Sequence, residues 1–209
     1  PHSLPLVVVG FTALTLAALA WRRRSRAGAL PALLLMLAVA LWSFGYALEL
    51  AAPTLAGKLF WANVEYAGIT TVPVFWYLSA REYVSLGWQR PRRPTAPLLL
   101  LVPLVTVALA WTNPTHELLR RSVRLESVGG LTIVAKEYGA WFWVHTAYSY
   151  LLLGSGSFLL VRNLLHADPP YRWQALSLVV AAAMPWMANA VYILAPRSFV
   201  LLDITPIAF

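Results

Sequence analysis

Ionisable and amide side chains interrupt several long apolar runs in this chain. Glu65, His145 and Asn189 each lie a few residues inside such a run, and Glu49 lies close to the end of another. For Glu65 the depth is about 10 Å at ~1.5 Å per helical residue. A charged group inside a membrane segment is costly, so these positions are candidate functional residues.

Aromatic residues share helical faces with these polar groups. Helical spacing places Trp61 with Glu65, Tyr148 with His145 and Tyr192 with Asn189. An apolar wall with a few convergent polar groups is typical of a small-molecule pocket. We therefore predict a ligand-binding site in the outer half of the membrane, formed by Glu49, Trp61, Glu65, His145, Tyr148, Asn189, Tyr192 and Asp203.

Each polar residue also has a structural interpretation. Lys58 is placed to form an ion pair with Glu49 or Glu65, a lone His145 is more typical of a hydrogen-bonded core position, and Asn189 is suited to tying helices together. The pocket hypothesis therefore depends on all of them converging at one depth. A pH sensor built on Glu49, Glu65 and His145 is a further alternative, since histidine titrates near neutral pH.

The elements that must position these residues are membrane helices. The chain has 209 residues, of which 60% are hydrophobic and 11% charged, against about a quarter charged in soluble domains. A span needs roughly 20 apolar residues to cross about 30 Å of hydrocarbon. Six complete spans are predicted: Leu4–Trp21, Gly28–Leu50, Lys58–Ala80, Thr95–Trp111, Gly139–Val161 and Trp173–Leu194.

A seventh helix begins at Asp203 and stops at Phe209, which with the missing initiator Met predicts a fragment of a longer protein. The polar joint Ser122–Glu137 contains Gly129-Gly130 between two β-prone runs and predicts a small outer hairpin between spans four and five. The predicted fold is thus an all-α, polytopic membrane bundle of six complete spans and the start of a seventh.

The basic residues indicate orientation. Ten Lys and Arg side chains fall in the joints on one side of the predicted bundle and six on the other. The richer side is expected to be cytoplasmic, which places the N-terminus outside. Because the net charge of +8 is spread over these short joints, we predict no nucleic-acid partner.

Catalytic motifs and cofactor sites are not predicted. His116-Glu117-Leu118-Leu119-Arg120 begins like a zinc-protease helix but has Arg where the second metal-binding His belongs. The chain has no Cys, which excludes disulfides and thiolate metal sites. We predict no enzyme activity and no cofactor; a haem or metal held by His116 and His145 is a minor alternative.

Several stretches, taken in order, carry a family resemblance. They are Glu49-Leu50, Lys58, Trp61, Tyr66-Ala67-Gly68-Ile69, Pro73, Trp76, Thr112-Asn113-Pro114-Thr115-His116, Tyr138-Gly139, Phe142-Trp143-Val144-His145, Tyr148-Ser149-Tyr150, Tyr171 to Gln174, Pro185, Asn189, Tyr192 and Asp203-Ile204-Thr205-Pro206-Ile207-Ala208-Phe209. Together they resemble the N-terminal seven-transmembrane region of bacterial sensor histidine kinases, over about residues 28–209.

The resemblance implies a membrane-embedded input domain over residues 1–209. It implies a small-molecule or lipid ligand, a location in the bacterial inner membrane, a cytoplasmic signalling domain that follows in the chain, and a homodimer. Any kinase activity would lie outside this chain. The alternative of a transporter or channel subunit would favour inverted repeats around a midplane site, and the sequence contains no internal repeat.

Overall fold

The computed structural model describes residues 3–26, 28–85, 95–128 and 131–165, with five single positions further along: Trp173, Leu176, Ser177, Val180 and Met187. Most of the predicted sixth span and the predicted start of the seventh helix lie outside the described residues. The predicted site residues Asn189, Tyr192 and Asp203 belong to those parts of the chain.

The described part is mostly helical, with two strands between the last two helices. The elements are α1 Leu4–Arg22, α2 Ala29–Ala51, α3 Leu55–Ser85, the one-turn α4 Ala96–Leu99, α5 Leu101–Trp111, β1 Arg120–Val128, β2 Leu131–Tyr138 and α6 Ala140–Leu165. A short 3-10 turn, Asn113–Thr115, connects α5 to β1.

Among the described residues, three helices are long and apolar enough to cross a membrane: α1, α2 and α6. They coincide with the predicted first, second and fifth spans. α1 leaves Leu4, Phe11 and Trp21 exposed, while Leu6 and Ala13 pack against α2. An exposed apolar face on such a helix is expected where lipid is the solvent.

α3 is the central helix, since it packs against α2, α5 and α6. Its 31 residues give a length of about 46 Å at ~1.5 Å per residue, enough to cross a bilayer. α3 is nevertheless less apolar than the three candidate spans, because it carries Lys58, Glu65, Arg81 and Glu82. Its neighbours cover many of its polar side chains, so α3 does not need to be apolar all round.

The predicted fourth span, Thr95–Trp111, is interrupted at Leu100 and forms α4 and α5. Pro103 has no N–H to donate to the carbonyl of Leu99, four residues earlier. The Leu99 carbonyl instead accepts a hydrogen bond from the Tyr148 hydroxyl of α6. A side chain from another helix therefore replaces the helical bond that proline removes.

Two glycines allow α2 and α3 to approach closely. A Cβ on Gly68 of α3 would lie 2.6 Å from the carbonyl oxygen of Ala38 and 2.8 Å from the main-chain nitrogen of Trp42. A Cβ on Gly45 of α2 would lie 2.7 Å from Cγ of Glu65. Small residues at such contacts let helix backbones meet, as is common in membrane bundles. The contact at Gly45 also fixes the position of the Glu65 side chain.

β1 and β2 pair antiparallel, and the described residues of the polar joint Ser122–Glu137 lie within them. The register shifts between Arg121 and Arg124, where Ser122 has a φ of +47°. A bulge of this kind bends the strand and changes the direction of neighbouring side chains. The result is a hairpin whose first strand begins directly beside the ends of α3 and α5.

Candidate functional site

Charged and polar side chains gather at one end of the bundle, where α2 ends, α3 begins and the hairpin leads into α6. We define the hairpin-side cluster as seven residues: Glu49, Lys58, Asn63, Glu65, Tyr66, Arg120 and Lys136. Four of its charged side chains are buried, with exposed fractions of 8% for Glu49, 1% for Lys58, 5% for Glu65 and 3% for Arg120. Buried charges require close partners, so the contacts of each decide its role.

Lys58 closes the end of α2. Its Nζ donates hydrogen bonds to the main-chain carbonyl oxygens of Glu49, at 2.8 Å, and Leu50, at 3.2 Å. The last carbonyls of a helix have no helical partner, and the negative end of the helix dipole favours a cation there. Lys58 is therefore bound by the backbone of α2, and this contact joins α2 to the first turn of α3.

Lys136 brings a cation from β2 towards the end of α2. Burial lowers the pKa of Lys136, but the nearby Glu49 carboxylate and the Tyr66 and Tyr138 hydroxyls raise it. The combined effect is a pKa above the ordinary value of 10.5, even though the Arg120 guanidinium acts in the opposite direction. Lys136 is thus an ammonium group at neutral pH, and its charge links the hairpin to Glu49.

Glu65 contributes the second buried carboxylate. Its side chain packs against Gly45 of α2, as the close approach to Cγ requires. The charges of Glu65, Arg120 and Lys136 all act on the hydroxyl of Tyr66, the next residue of α3. One acid of α3 and two cations of the hairpin therefore meet around a single tyrosine.

Arg120 docks the hairpin onto the helices. Its Nη2 donates hydrogen bonds to Oδ1 of Asn63 on α3 and to the carbonyl oxygen of Ala110 on α5. The centre of its guanidinium lies 5.5 Å from the centroid of the Tyr66 ring, within the range of a cation–π interaction. These contacts hold the first residue of β1 against two helices.

Asn113 fixes the backbone on which Arg120 is carried. Its Oδ1 accepts hydrogen bonds from the main-chain N–H groups of Leu119 and Arg120, both at 3.0 Å. Its Nδ2 donates to the carbonyl oxygen of Arg120 at 2.9 Å. The side chain is buried, with 7% of its surface exposed. Three hydrogen bonds from one amide therefore set the position of the Arg120 main chain.

No group of three or more potential metal ligands is found within the described ranges. His116 has hydrogen bonds at both ring nitrogens: Nε2 lies 3.1 Å from Thr112 Oγ1, and Nδ1 accepts from the Leu118 N–H at 3.0 Å. These contacts give His116 a local structural role in the turn before β1.

The comparison with known families agrees with this architecture. A family model described as the N-terminal 7TM region of histidine kinase matches residues 5–209. The chain belongs to this family. Among curated proteins, no significant match was found.

Membership of the 7TM region of histidine kinases establishes the class of the chain. It is a membrane protein, and its region serves histidine kinases as a sensory input domain to which a cytoplasmic kinase domain is linked. The resemblance drawn from the ordered motifs is therefore confirmed. The position of a ligand and the path of a signal have to be inferred from the geometry of the cluster.

The structure of this 7TM region brings two of the predicted site residues together. Glu49 and Glu65 both belong to the hairpin-side cluster. Trp61 lies on the same end of α3 but packs its ring against Phe60, with centroids 5.2 Å apart and nearly perpendicular planes. Trp61 is half-buried and forms part of the apolar surroundings.

The predicted site residues of α6 have other contacts. His145 is buried, and its Nε2 lies 3.4 Å from the Ser149 hydroxyl one turn further along the helix. The Tyr148 hydroxyl donates to the carbonyl oxygen of Leu99, as described above. Among the described residues, neither side chain has a hydrogen bond to Glu49 or Glu65.

Five residues of the hairpin-side cluster were not predicted as site residues: Lys58, Asn63, Tyr66, Arg120 and Lys136. Asn113, which holds the Arg120 main chain, was not predicted either. In the sequence, Arg120 and Lys136 lie in a joint between spans and are interpreted only as charges that indicate membrane orientation. Asn113 lies in one of the stretches that carry the family resemblance. That resemblance indicates that the residue has a role but does not specify the role. The contact of Arg120 with Asn63 and the effect of Glu49 on Lys136 join residues that are distant in sequence, so they follow from the tertiary fold alone.

Proposed function

We propose that this chain is the signal-input domain of a bacterial sensor histidine kinase and that the hairpin-side cluster is where it detects its stimulus. The observation that carries the proposal is the meeting of buried charges from α2, α3 and the hairpin at one end of the bundle. Intramembrane ionisable groups are retained at a cost in stability, so a buried set of them indicates function. The ligand is a small molecule or a lipid that contacts this polar end.

The distribution of basic residues supports an extracytoplasmic position for the cluster. α1 ends in Arg22, the joint after it contains Arg23, Arg24 and Arg26, and the sequence after α3 is also rich in arginine. Gly28 at the beginning of α2 and Glu82 near the end of α3 meet at the opposite end of the helices from the hairpin, and the arginine-rich joints next to them are expected in the cytoplasm. The N-terminus is then outside, in a bacterial inner-membrane protein.

α3 is suited to carry a change from one side to the other. Glu65 lies near one end of this helix, and Glu82 near the other end accepts a hydrogen bond from the Gly28 N–H at 2.7 Å. A ligand shifts an equilibrium between two arrangements if it binds one of them more tightly. A displacement of α3 at Glu65 would therefore alter contacts at the cytoplasmic ends of α2 and α3.

The output lies beyond the input domain. In this proposal residues 1–209 form the sensory domain up to the beginning of the seventh helix at Asp203, and that helix passes the change to a cytoplasmic kinase. The kinase works as a homodimer, so two input domains stand side by side. Catalysis is assigned to that kinase domain.

The proposal is tested on the full-length kinase in proteoliposomes. Autophosphorylation is measured with and without fractions of spent culture medium, for the wild type and for alanine variants of Glu49, Glu65 and Lys136. Glu137→Ala, which removes an exposed carboxylate from β2, is the matched control. Loss of the response in the three variants, with the control unchanged, supports the proposal; a wild-type response in all three contradicts the pocket.

A further inference from the structure

Arg120 has donor atoms that its described contacts do not use. Nη2 is engaged by Asn63 and Ala110, but Nε and Nη1 are both buried and have no hydrogen-bond acceptor within the described residues. A guanidinium offers five N–H donors, and buried donors without an acceptor are rare in native proteins. Such a group is expected to meet an acceptor in at least one functional state.

The charge pattern of the cluster singles out Arg120. The cluster contains three cations, Lys58, Arg120 and Lys136, and two carboxylates, Glu49 and Glu65. Lys58 is bound by main-chain carbonyls at the end of α2, and Lys136 lies in the field of Glu49. The hydrogen-bond and ring contacts of Arg120 in the described part of the chain are all with neutral groups: Asn63, Ala110 and Tyr66.

Arg120 is also held in advance of binding. Asn113 fixes its main chain through three hydrogen bonds, and the Nη2 contacts fix one edge of the guanidinium. A preorganised group loses little freedom when a ligand binds, which favours affinity. Arginine is the residue best suited to planar oxyanions, since its charged N–H groups match carboxylate and phosphate oxygens.

We propose that Arg120 is the anion-recognition residue of the input domain and that Nε and Nη1 receive a carboxylate or phosphate group of the ligand. This inference rests on the proposed sensory function and names the chemical class of the stimulus. Because Nε and Nη1 are buried in this structure, an anion has to displace neighbouring protein groups in order to reach them. Binding is therefore coupled to a movement of the hairpin against α3.

The test uses the full-length kinase purified in a neutral detergent. Its melting temperature is measured in sodium acetate, sodium phosphate and sodium chloride at equal ionic strength, for the wild type, Arg120→Gln and Arg120→Lys. Arg121→Gln is the matched control, because it removes the same charge from an exposed neighbour in β1. We expect acetate or phosphate to raise the melting temperature of the wild type and the control in a saturable way, relative to chloride.

In Arg120→Gln we expect the affinity for the same anion to fall by about tenfold or more, since a hydrogen bond to a charged group contributes at least that factor. Arg120→Lys keeps the charge but not the separate donors, and we expect a similar loss. If neither variant folds, the wild-type comparison still decides. No stabilisation by either anion beyond chloride, in detergent or in the lipid arm below, would overturn the proposal.

A second arm identifies the source of the anion. The wild type and Arg121→Gln are compared with Arg120→Lys in vesicles of phosphatidylcholine, with or without phosphatidylglycerol. Arg120-dependent stabilisation by phosphatidylglycerol points to a lipid headgroup, and stabilisation by acetate or phosphate alone points to a soluble ligand; both support an anion site. Coupling between Arg120→Gln and Asp203→Asn in a double-mutant cycle, with no anion effect, would assign the acceptor to the chain itself and overturn it.

The two proposals fail separately. If alanine at Glu49, Glu65 and Lys136 abolishes the kinase response while no anion stabilises the protein through Arg120, the sensory site stands and the anion inference is wrong. If the response survives those substitutions while Arg120 still binds an anion, the assignment of the pocket is wrong.

Discussion

The ammonium group of Lys58 lies 2.8 Å from the main-chain carbonyl oxygen of Glu49. The same group also bonds the carbonyl of Leu50, so one buried cation completes the final turn of α2. Because Lys58 belongs to the first turn of α3, the contact fixes the angle at which the two helices meet. The Glu49 carboxylate is left to interact with Lys136 of the hairpin, which connects three elements through two neighbouring groups.

Replacing Lys58 by methionine should lower the free energy of unfolding by about 1–3 kcal/mol, because one buried and one partly buried carbonyl lose a charged donor. Thermal unfolding in detergent, followed by circular dichroism, measures the effect. Arg121→Met, which removes an exposed cation of the hairpin, should leave the melting temperature nearly unchanged. Equal melting temperatures for Lys58→Met and the wild type would show that the cap contributes nothing.

Asn113→Ala should cost about 2–4 kcal/mol, since it removes three hydrogen bonds and leaves the N–H groups of Leu119 and Arg120 buried without an acceptor. Asn113→Asp keeps the acceptor oxygen and loses only the donor, so it should be the milder of the two. Thr115→Ala, in the exposed part of the same turn, serves as the control. A larger loss for the aspartate variant would contradict the assigned contacts.

The sequence predicts much of the helical framework and part of the site. Apolar run length places α1, α2 and α6 within a few residues, and the cost of a buried charge identifies Glu49 and Glu65. Arg120 and Lys136 are not recognisable in the same way, because in sequence they are ordinary loop cations. Arg120 becomes a buried residue only when the hairpin packs onto Asn63 and Ala110. Asn63 is distant in sequence, and Ala110 is separated from Arg120 by the turn that follows α5.

The close contact between α2 and α3 predicts that Gly68→Ala is strongly destabilising. The added Cβ would lie 2.6 Å from a main-chain oxygen of α2, and backbone atoms cannot give way as a flexible side chain can. We expect the free energy of unfolding to fall by about 1–3 kcal/mol or more, which is the usual effect of overpacking. Gly57→Ala meets only side-chain atoms, at 3.1 Å or more, and is the control. A stable Gly68→Ala protein would show that the helices separate easily.

The raised pKa of Lys136 predicts a pH dependence of stability. A cation whose pKa is higher in the folded than in the unfolded state stabilises the protein below its ordinary pKa of 10.5, and this stabilisation is lost as the pH rises through the folded value. Glu49→Gln removes the largest contribution that raises this pKa. The loss should therefore begin at lower pH in Glu49→Gln than in the wild type.

The Lys136 prediction is tested by measuring melting temperatures from neutral to alkaline pH and comparing the wild type with Glu49→Gln. In a Lys136→Gln background, Glu49→Gln should no longer change the alkaline limb of the curve, because the titrating partner is absent. Glu137→Gln, an exposed carboxylate of the same strand, should not shift the limb in either background. An equal shift with and without Lys136 would assign the effect to another group.

The bond from the Tyr148 hydroxyl to the Leu99 carbonyl predicts a specific coupling with Pro103. Tyr148→Phe should cost about 0.5–1.5 kcal/mol, because it leaves that carbonyl without a donor. Pro103→Ala restores an N–H that can make the helical bond to Leu99, so Tyr148→Phe should cost less in the alanine background. Thermal unfolding of the four proteins in the double-mutant cycle measures the coupling, which should be well above zero. Additive effects would mean that the tyrosine does not replace the bond that proline removes.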